Sequence, residues 1–158
     1  MPRAAIEARA GDRIQTASAM SQTILIVEDH PLVAKFYRMA LERAGGYSCL
    51  VTENADEIVA AVEQGHVALA LLDVSLRGTY WEGRPIDGIE LARLLKKRAP
   101  GPLPILLATA HAMAGDRERF LAASGADAYL QKPIYDAQQL VETIQHLLAA
   151  SAPPIQQL

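Results

Sequence analysis

Residues 68–73 read ALALLD, five apolar side chains closed by one carboxylate. An unbroken apolar run of this length is the pattern of a strand buried on both faces, which occurs in parallel sheets covered by helices. Asp73 then stands at the carboxyl end of that strand, where a carboxylate needs a partner or a metal. Three more apolar runs end in chemically distinctive residues. Ile24 to Val27 runs into the acid pair Glu28 and Asp29, Ile105 to Ala108 into Thr109, and Ala128 to Leu130 towards Lys132. Ligands of open α/β sheets bind at the carboxyl edge of the strands. Four such groups at that edge predict a phosphoryl-transfer site.

Apolar runs alternate with helical patterns from Thr23 onward. The sequence predicts helices over Leu32 to Ala44, Ala55 to Gln64, Gly88 to Arg98, Gly115 to Ser124 and Ala137 to Ala149, and strands over Ile24 to Val27, Tyr47 to Thr52, Ala68 to Leu72, Ile105 to Ala108 and Ala128 to Leu130. Asn54 with Glu57, Asp87 with Glu90, and Asp136 with Gln139 have the spacing of helix starts, while Gly45, Gly65 and Gly125 stand at helix ends and Pro100 stops the third helix. Five strands alternating with five helices imply an α/β fold with right-handed crossovers and a doubly wound parallel sheet. Residues 23–150 form that domain in this reading. Residues 1–22, Ala-rich and without a clear amphipathic period, read as a flexible N-terminal extension, with Met20 an alternative start, and residues 151–158 as a C-terminal tail.

Composition narrows the function. The 158 residues, 51% of them hydrophobic, suit one substantial core. Fifteen basic and eighteen acidic side chains leave a net charge of −3 with no basic stripe, so nucleic acid is not expected as a direct partner. Residues 1–22 hold no apolar stretch long enough for a signal peptide or membrane span. The lone cysteine, Cys49, reads as a buried small hydrophobe and fits a reducing compartment, so a cytoplasmic location is expected.

The segments ILIVEDHP (24–31), LLDVSL (71–76), ATAHAM (108–113) and YLQKPI (129–134), in this order and spacing, resemble the receiver domain of two-component response regulators. The resemblance covers Gln22 to Ala150. It implies the flavodoxin-like (βα)5 strand order 2-1-3-4-5 and an Asp73 that accepts a phosphoryl group from a phosphohistidine on a partner kinase. It further implies Mg²⁺ held directly by Asp29 and Asp73, through water by Glu28, and by the main-chain carbonyl of Ser75. Lys132 would pair with one phosphoryl oxygen and the Thr109 hydroxyl with another. Tyr129 matches the family's aromatic switch, which remodels the face built from the fourth helix, fifth strand and fifth helix, a possible homodimer surface. The Lys132–Pro133 bond is often cis in the family. Residues 111–133 also resemble receivers attached to hybrid histidine kinases, so the expected partners are such a kinase or a histidine phosphotransfer protein, together with a downstream protein target. A stand-alone response regulator is the expected type.

Elementary chemistry agrees. An aspartate attacking phosphorus brings two anions together, so the step depends on positioning and charge neutralisation by a divalent cation with hard oxygen ligands. Each residue also has a plainer reading: Asp29 as a helix cap before Pro31, Thr109 as a strand-end residue, Lys132 as a solvated cation, and Tyr129 as an edge-strand aromatic packed on a helix. An aspartyl phosphatase of the haloacid dehalogenase type uses similar parts, but requires an aspartate where this chain has Ser75 and metal acids after the lysine. A dinucleotide-binding domain would need a glycine-rich turn in place of EDHP. A receiver used only for docking, without phosphorylation, is countered by the intact set. No catalytic turnover beyond self-catalysed phosphorylation and dephosphorylation is expected.

The chief departure from the family is the long segment after Asp73, with Arg77 where receivers commonly have proline and with Tyr80 beside Trp81. Its aromatics are expected to face outward as partner anchors, with a lid over the site as the alternative. By the same resemblance, Ser75 and His111 would flank the path of an attacking water.

Overall fold

The computed structural model of the protein describes residues 22–110 and 113–152. The expected extension up to Ser21, the tail from Pro153 and His111 lie outside the described residues. In chain order the elements are β1 (Thr23–Val27), α1 (Pro31–Arg43), β2 (Ser48–Val51), α2 (Ala55–Glu63), β3 (Leu69–Asp73), β4 (Tyr80–Trp81), β5 (Arg84–Pro85), α3 (Gly88–Arg98), β6 (Ile105–Thr109), α4 (Asp116–Ser124), β7 (Ala128–Gln131) and α5 (Ala137–Ser151).

Five strands pair in parallel in the order β2-β1-β3-β6-β7, with β4 and β5 forming a separate antiparallel hairpin. Setting that hairpin aside, the order is the expected 2-1-3-4-5. Every residue of β3 and β6 is buried. Because side chains alternate along a strand, the run that looks uniformly apolar feeds two cores. Leu25, Ala70, Leu72 and Leu107 pack beneath α2 and α3, while Ile24, Ile26, Leu69, Leu71 and Leu106 pack against Tyr37 and Leu41 of α1 and Leu140 and Ile144 of α5. Among the described residues, no helix is long and apolar enough to cross a membrane.

The helix ends follow local chemistry. Asn54 Oδ1 accepts from the Glu57 amide at 3.1 Å, Asp87 Oδ1 from Glu90 at 2.8 Å, and Asp136 Oδ1 from Gln138 at 2.9 Å and Gln139 at 3.2 Å. These bonds satisfy amides that the first helical turn leaves without partners. α3 ends at Arg98 because Ala99, forced out of helical geometry by Pro100, is extended at φ −65°, ψ 133°. The plainer reading of Asp29 as a cap is not realised. The residue preceding α1 is His30, which makes no side-chain cap, and Pro31 opens the helix.

The hairpin of β4 and β5 is not foreseen from sequence. Trp81 pairs with Arg84 across a two-residue turn in which Glu82 (φ 52°) and Gly83 (φ 79°) are both left-handed. That is the backbone of a type I′ turn, whose twist suits tight hairpins. It also corrects the expectation for Trp81. Alternation along β4 sends Tyr80 and Trp81 to opposite sides, so Tyr80 is 58% exposed while Trp81 packs on the core beneath α2 and α3. The Arg98 guanidinium sits 5.7 Å from the indole centroid. Trp81 therefore packs on its own domain instead of facing outward as an anchor.

Candidate functional site at the carboxyl edge of the sheet

The carboxyl ends of β1, β3 and β6 and the segment after β7 converge on one cleft of about 560 Å³, walled by Glu28, Asp29, Asp73, Ser75, Arg77, Ala110 and Lys132 among others. Parallel pairing makes this happen: Val27 lies beside Leu72, and Asp73 beside Ala108. One carboxylate oxygen from each of Glu28, Asp29 and Asp73 lies within 4.8 Å of the others. Glu28 and Asp73 are buried and Asp29 is half-buried.

Lys132 crosses the cleft to bind the acids. Its Nζ donates to both oxygens of Glu28 at 3.0 Å and to Asp73 Oδ2 at 3.4 Å. The reading of Lys132 as a solvated cation is therefore set aside. Asp73 Oδ1 accepts from the Ser75 amide at 3.2 Å, and Glu28 Oε1 accepts from the His30 amide at 3.3 Å. Burial pushes the Glu28 carboxyl up to about 7, with the charge of Asp73 acting the same way and the Lys132 hydrogen bond opposing it. For Lys132, burial pulls the ammonium down, but its hydrogen bond to Glu28 and the two nearby carboxylates outweigh burial and hold it above its ordinary value.

Thr109 is fully buried at the end of β6, and its carbonyl accepts from the Lys132 amide at 2.7 Å. That bond ties the hydroxyl-bearing strand to the lysine segment, in which the Lys132–Pro133 bond is cis. Tyr129 lies half-buried on β7, its ring stacked on Phe120 of α4 at 6.3 Å between centroids. This is the placement of an edge-strand aromatic packed on a helix.

Three contributors are hidden in the sequence. A methyl group at Gly88 would lie 1.9 Å from the Asp73 carbonyl oxygen, and the Gly88 amide donates to the Val74 carbonyl at 2.9 Å, so the start of α3 rests directly on the backbone of Asp73. Only a residue without a side chain permits that approach. Tyr37 is fully buried on α1 with no hydrogen-bond partner for its hydroxyl among the described residues, and burial followed by the charges of Glu28 and Asp73 holds that hydroxyl strongly protonated. Arg77, conspicuous only as a departure in the long loop, turns out to wall the cleft.

The donor set suits Mg²⁺, since it offers hard carboxylate oxygens from three residues close enough to share one small cation. Ser75, whose main-chain carbonyl is the remaining expected ligand, lines the same cleft.

Comparison with known proteins places this geometry. The response regulator receiver domain family matches residues 24–145. The polar-differentiation response regulator DivK of Brucella ovis is 32% identical over 130 residues, spanning 82% of this chain and 98% of the relative. The phosphate regulon transcriptional regulatory protein PhoB of Pseudomonas aeruginosa is 35% identical over 135 residues, 85% of this chain and 55% of that protein. Among solved structures, a CheY-like receiver domain protein from Methanospirillum hungatei superposes with a TM-score of 0.67 at 29% identity, covering 83% of this chain and 96% of its own. The receiver domain of NtrX from Brucella abortus gives 0.68 at 25% identity, with 81% and 99% covered.

Proposed function

The chain belongs to the response regulator receiver domain family, and from that premise we propose that it carries a phosphoryl group on Asp73, received from a histidine kinase or a histidine phosphotransfer protein. The observation that carries this reading is the meeting of Asp73, Lys132 and the acid pair in one cleft. An oxygen of Asp73 attacks phosphorus, a new P–O bond forms and the P–N bond to the donor imidazole breaks. The electron pair leaves with the nitrogen, and the product is an acyl phosphate. The Ser75 amide, already on Asp73 Oδ1, orients the nucleophile. Asp29, Asp73 and the Ser75 carbonyl would hold Mg²⁺, with Glu28 acting through water. When bound, the ion neutralises charge as the two anions approach.

In the unmodified protein Lys132 is engaged with Glu28 and Asp73. We assign it to a phosphoryl oxygen after transfer, and the Thr109 hydroxyl to another. These contacts exist only in the modified state, so they shift the balance between two conformations. Tyr129, stacked on α4, is the readout, and the face of α4, β7 and α5 is where a downstream protein or a second copy would bind. The protein acts on no substrate but itself, catalysing only its own phosphorylation and dephosphorylation, and works in the cytoplasm, where such donors act.

Intact mass after incubation with Mg²⁺ and acetyl phosphate tests the reading. The wild-type chain should gain one phosphoryl group, while Asp73→Asn, or wild type in excess EDTA, should gain none. Equal incorporation by the variant would move the acceptor elsewhere.

A further inference from the structure

Arg77 sits four residues beyond Asp73, between two fixed points. Before it, the end of β3 is held by Gly88 against the Asp73 backbone. After it, Thr79 is buried and its carbonyl accepts from the Ile86 amide at 3.0 Å, closing the base of the hairpin. The side chain is thereby delivered to the wall of the cleft that also holds Asp73 and Lys132. It is exposed and has no ion-pair partner among the described residues. Lys132, in contrast, is committed to Glu28 and Asp73.

Charge balance gives this cation a task. Once Asp73 carries a phosphoryl dianion and a bound divalent ion favours the ionised form of Glu28, the cleft would hold four negative charges, from Glu28, Asp29 and the phosphoryl group. Lys132 and a divalent ion supply three positive ones, and Arg77 is the fourth. A guanidinium offers paired N–H donors that match two phosphoryl oxygens at once.

We propose that Arg77 is a second cation of this site that binds the phosphoryl group of the incoming donor and of modified Asp73. The assignment rests on the phosphoacceptor reading of Asp73 and adds a donor-binding residue to it.

The test is the rate of phosphoryl incorporation, by intact mass with Mg²⁺, against acetyl phosphate concentration. In this reaction the new P–O bond forms to Asp73 while the P–O bond to acetate breaks and acetate leaves with the electron pair. Arg77→Ala should raise the half-saturating donor concentration by about tenfold, the size of one charged phosphate contact. Arg77→Lys should recover part of that loss, and Arg84→Ala, which removes a cation of the neighbouring hairpin, should behave as wild type. The affinity of each variant for beryllium fluoride, a phosphoryl mimic, should follow the same order. If Arg77→Ala and wild type saturate alike, the role of Arg77 is overturned and that of Asp73 stands. If the wild-type chain incorporates nothing, both fall.

Discussion

α3 and α4 follow the two strands that end in Asp73 and Thr109, yet they are attached in different ways. α3 buries Gly88, Leu91, Ala92 and Leu95 and rests on the Asp73 backbone. The buried residues of α4 are Asp116 and Ser124, both polar. Asp116 accepts from the Met113 amide at 3.0 Å and binds Arg119, while half-buried Phe120 stacks on Tyr129, packs on the core beneath α2 and α3 and is faced by the Arg119 guanidinium at 5.3 Å. Apolar burial holds an element at roughly 25 cal/mol per Å², whereas an intramolecular hydrogen bond adds only about 1 kcal/mol net. One side of the site is thus held by more apolar burial than the other, which can shift at lower cost. The proposed readout residue, Tyr129, lies on the loosely held side.

The largest expected effect separates the two helices directly. Leu91→Ala should lower unfolding free energy by about 2–5 kcal/mol, the range for buried leucine truncation, while Phe120→Ala should lose less, about 1–2 kcal/mol, because its ring is only half-buried where it packs on the core and on Tyr129. Similar losses in urea titrations would erase the contrast. Next, Gly88→Ala forces a methyl into the Asp73 carbonyl. Overpacking of this kind costs about 1–3 kcal/mol, and amide shifts in its NMR spectrum should centre on residues 73–75 rather than on α4.

A smaller effect concerns pH. Glu28, raised by burial from 4.5 to about 7, binds a proton more readily folded than unfolded. Stability should therefore fall as pH rises from about 4.5 to 7 and level off above. Glu28→Gln should flatten that slope in denaturant midpoints measured across the window, and an unchanged slope would assign it to other groups. The smallest effect is dynamic. Amides of α4 should exchange with deuterium through openings that need less free energy than those of α3, and equal protection would remove the asymmetry.

Much of the fold was legible because two periods dominate. Uniform apolar runs mark β1, β3 and β6, and the caps at Asn54, Asp87 and Asp136 mark helix starts within a residue or two of where they lie. The acids, Asp73, Thr109 and Lys132 were legible as strand-end residues; the acids, Asp73 and Lys132 share one cleft, and Thr109 is tied to Lys132 by a main-chain bond. What stayed hidden depends on contacts between distant segments. Nothing local says that Glu28 and Lys132, 104 residues apart, pair before any phosphoryl group arrives. Nor does the sequence near Gly88 show that the Asp73 carbonyl lies where a side chain would go. The hairpin was hidden because each of its strands is two residues long, too short for a period, and its turn signal is Glu82-Gly83 instead of the commoner Asn-Gly.

Trp81 is the sole tryptophan of the chain, and its place on the core-facing side of the hairpin gives the protein a built-in optical gauge. Emission excited at the red edge comes from one indole, half shielded from water and faced by the Arg98 guanidinium. Its wavelength and intensity report the seating of the hairpin against α2 and α3. Tyr80 on the opposite face leaves that colour unaltered when it is covered. A ligand that lifts the hairpin will turn the emission red, and one that merely lands on it will not.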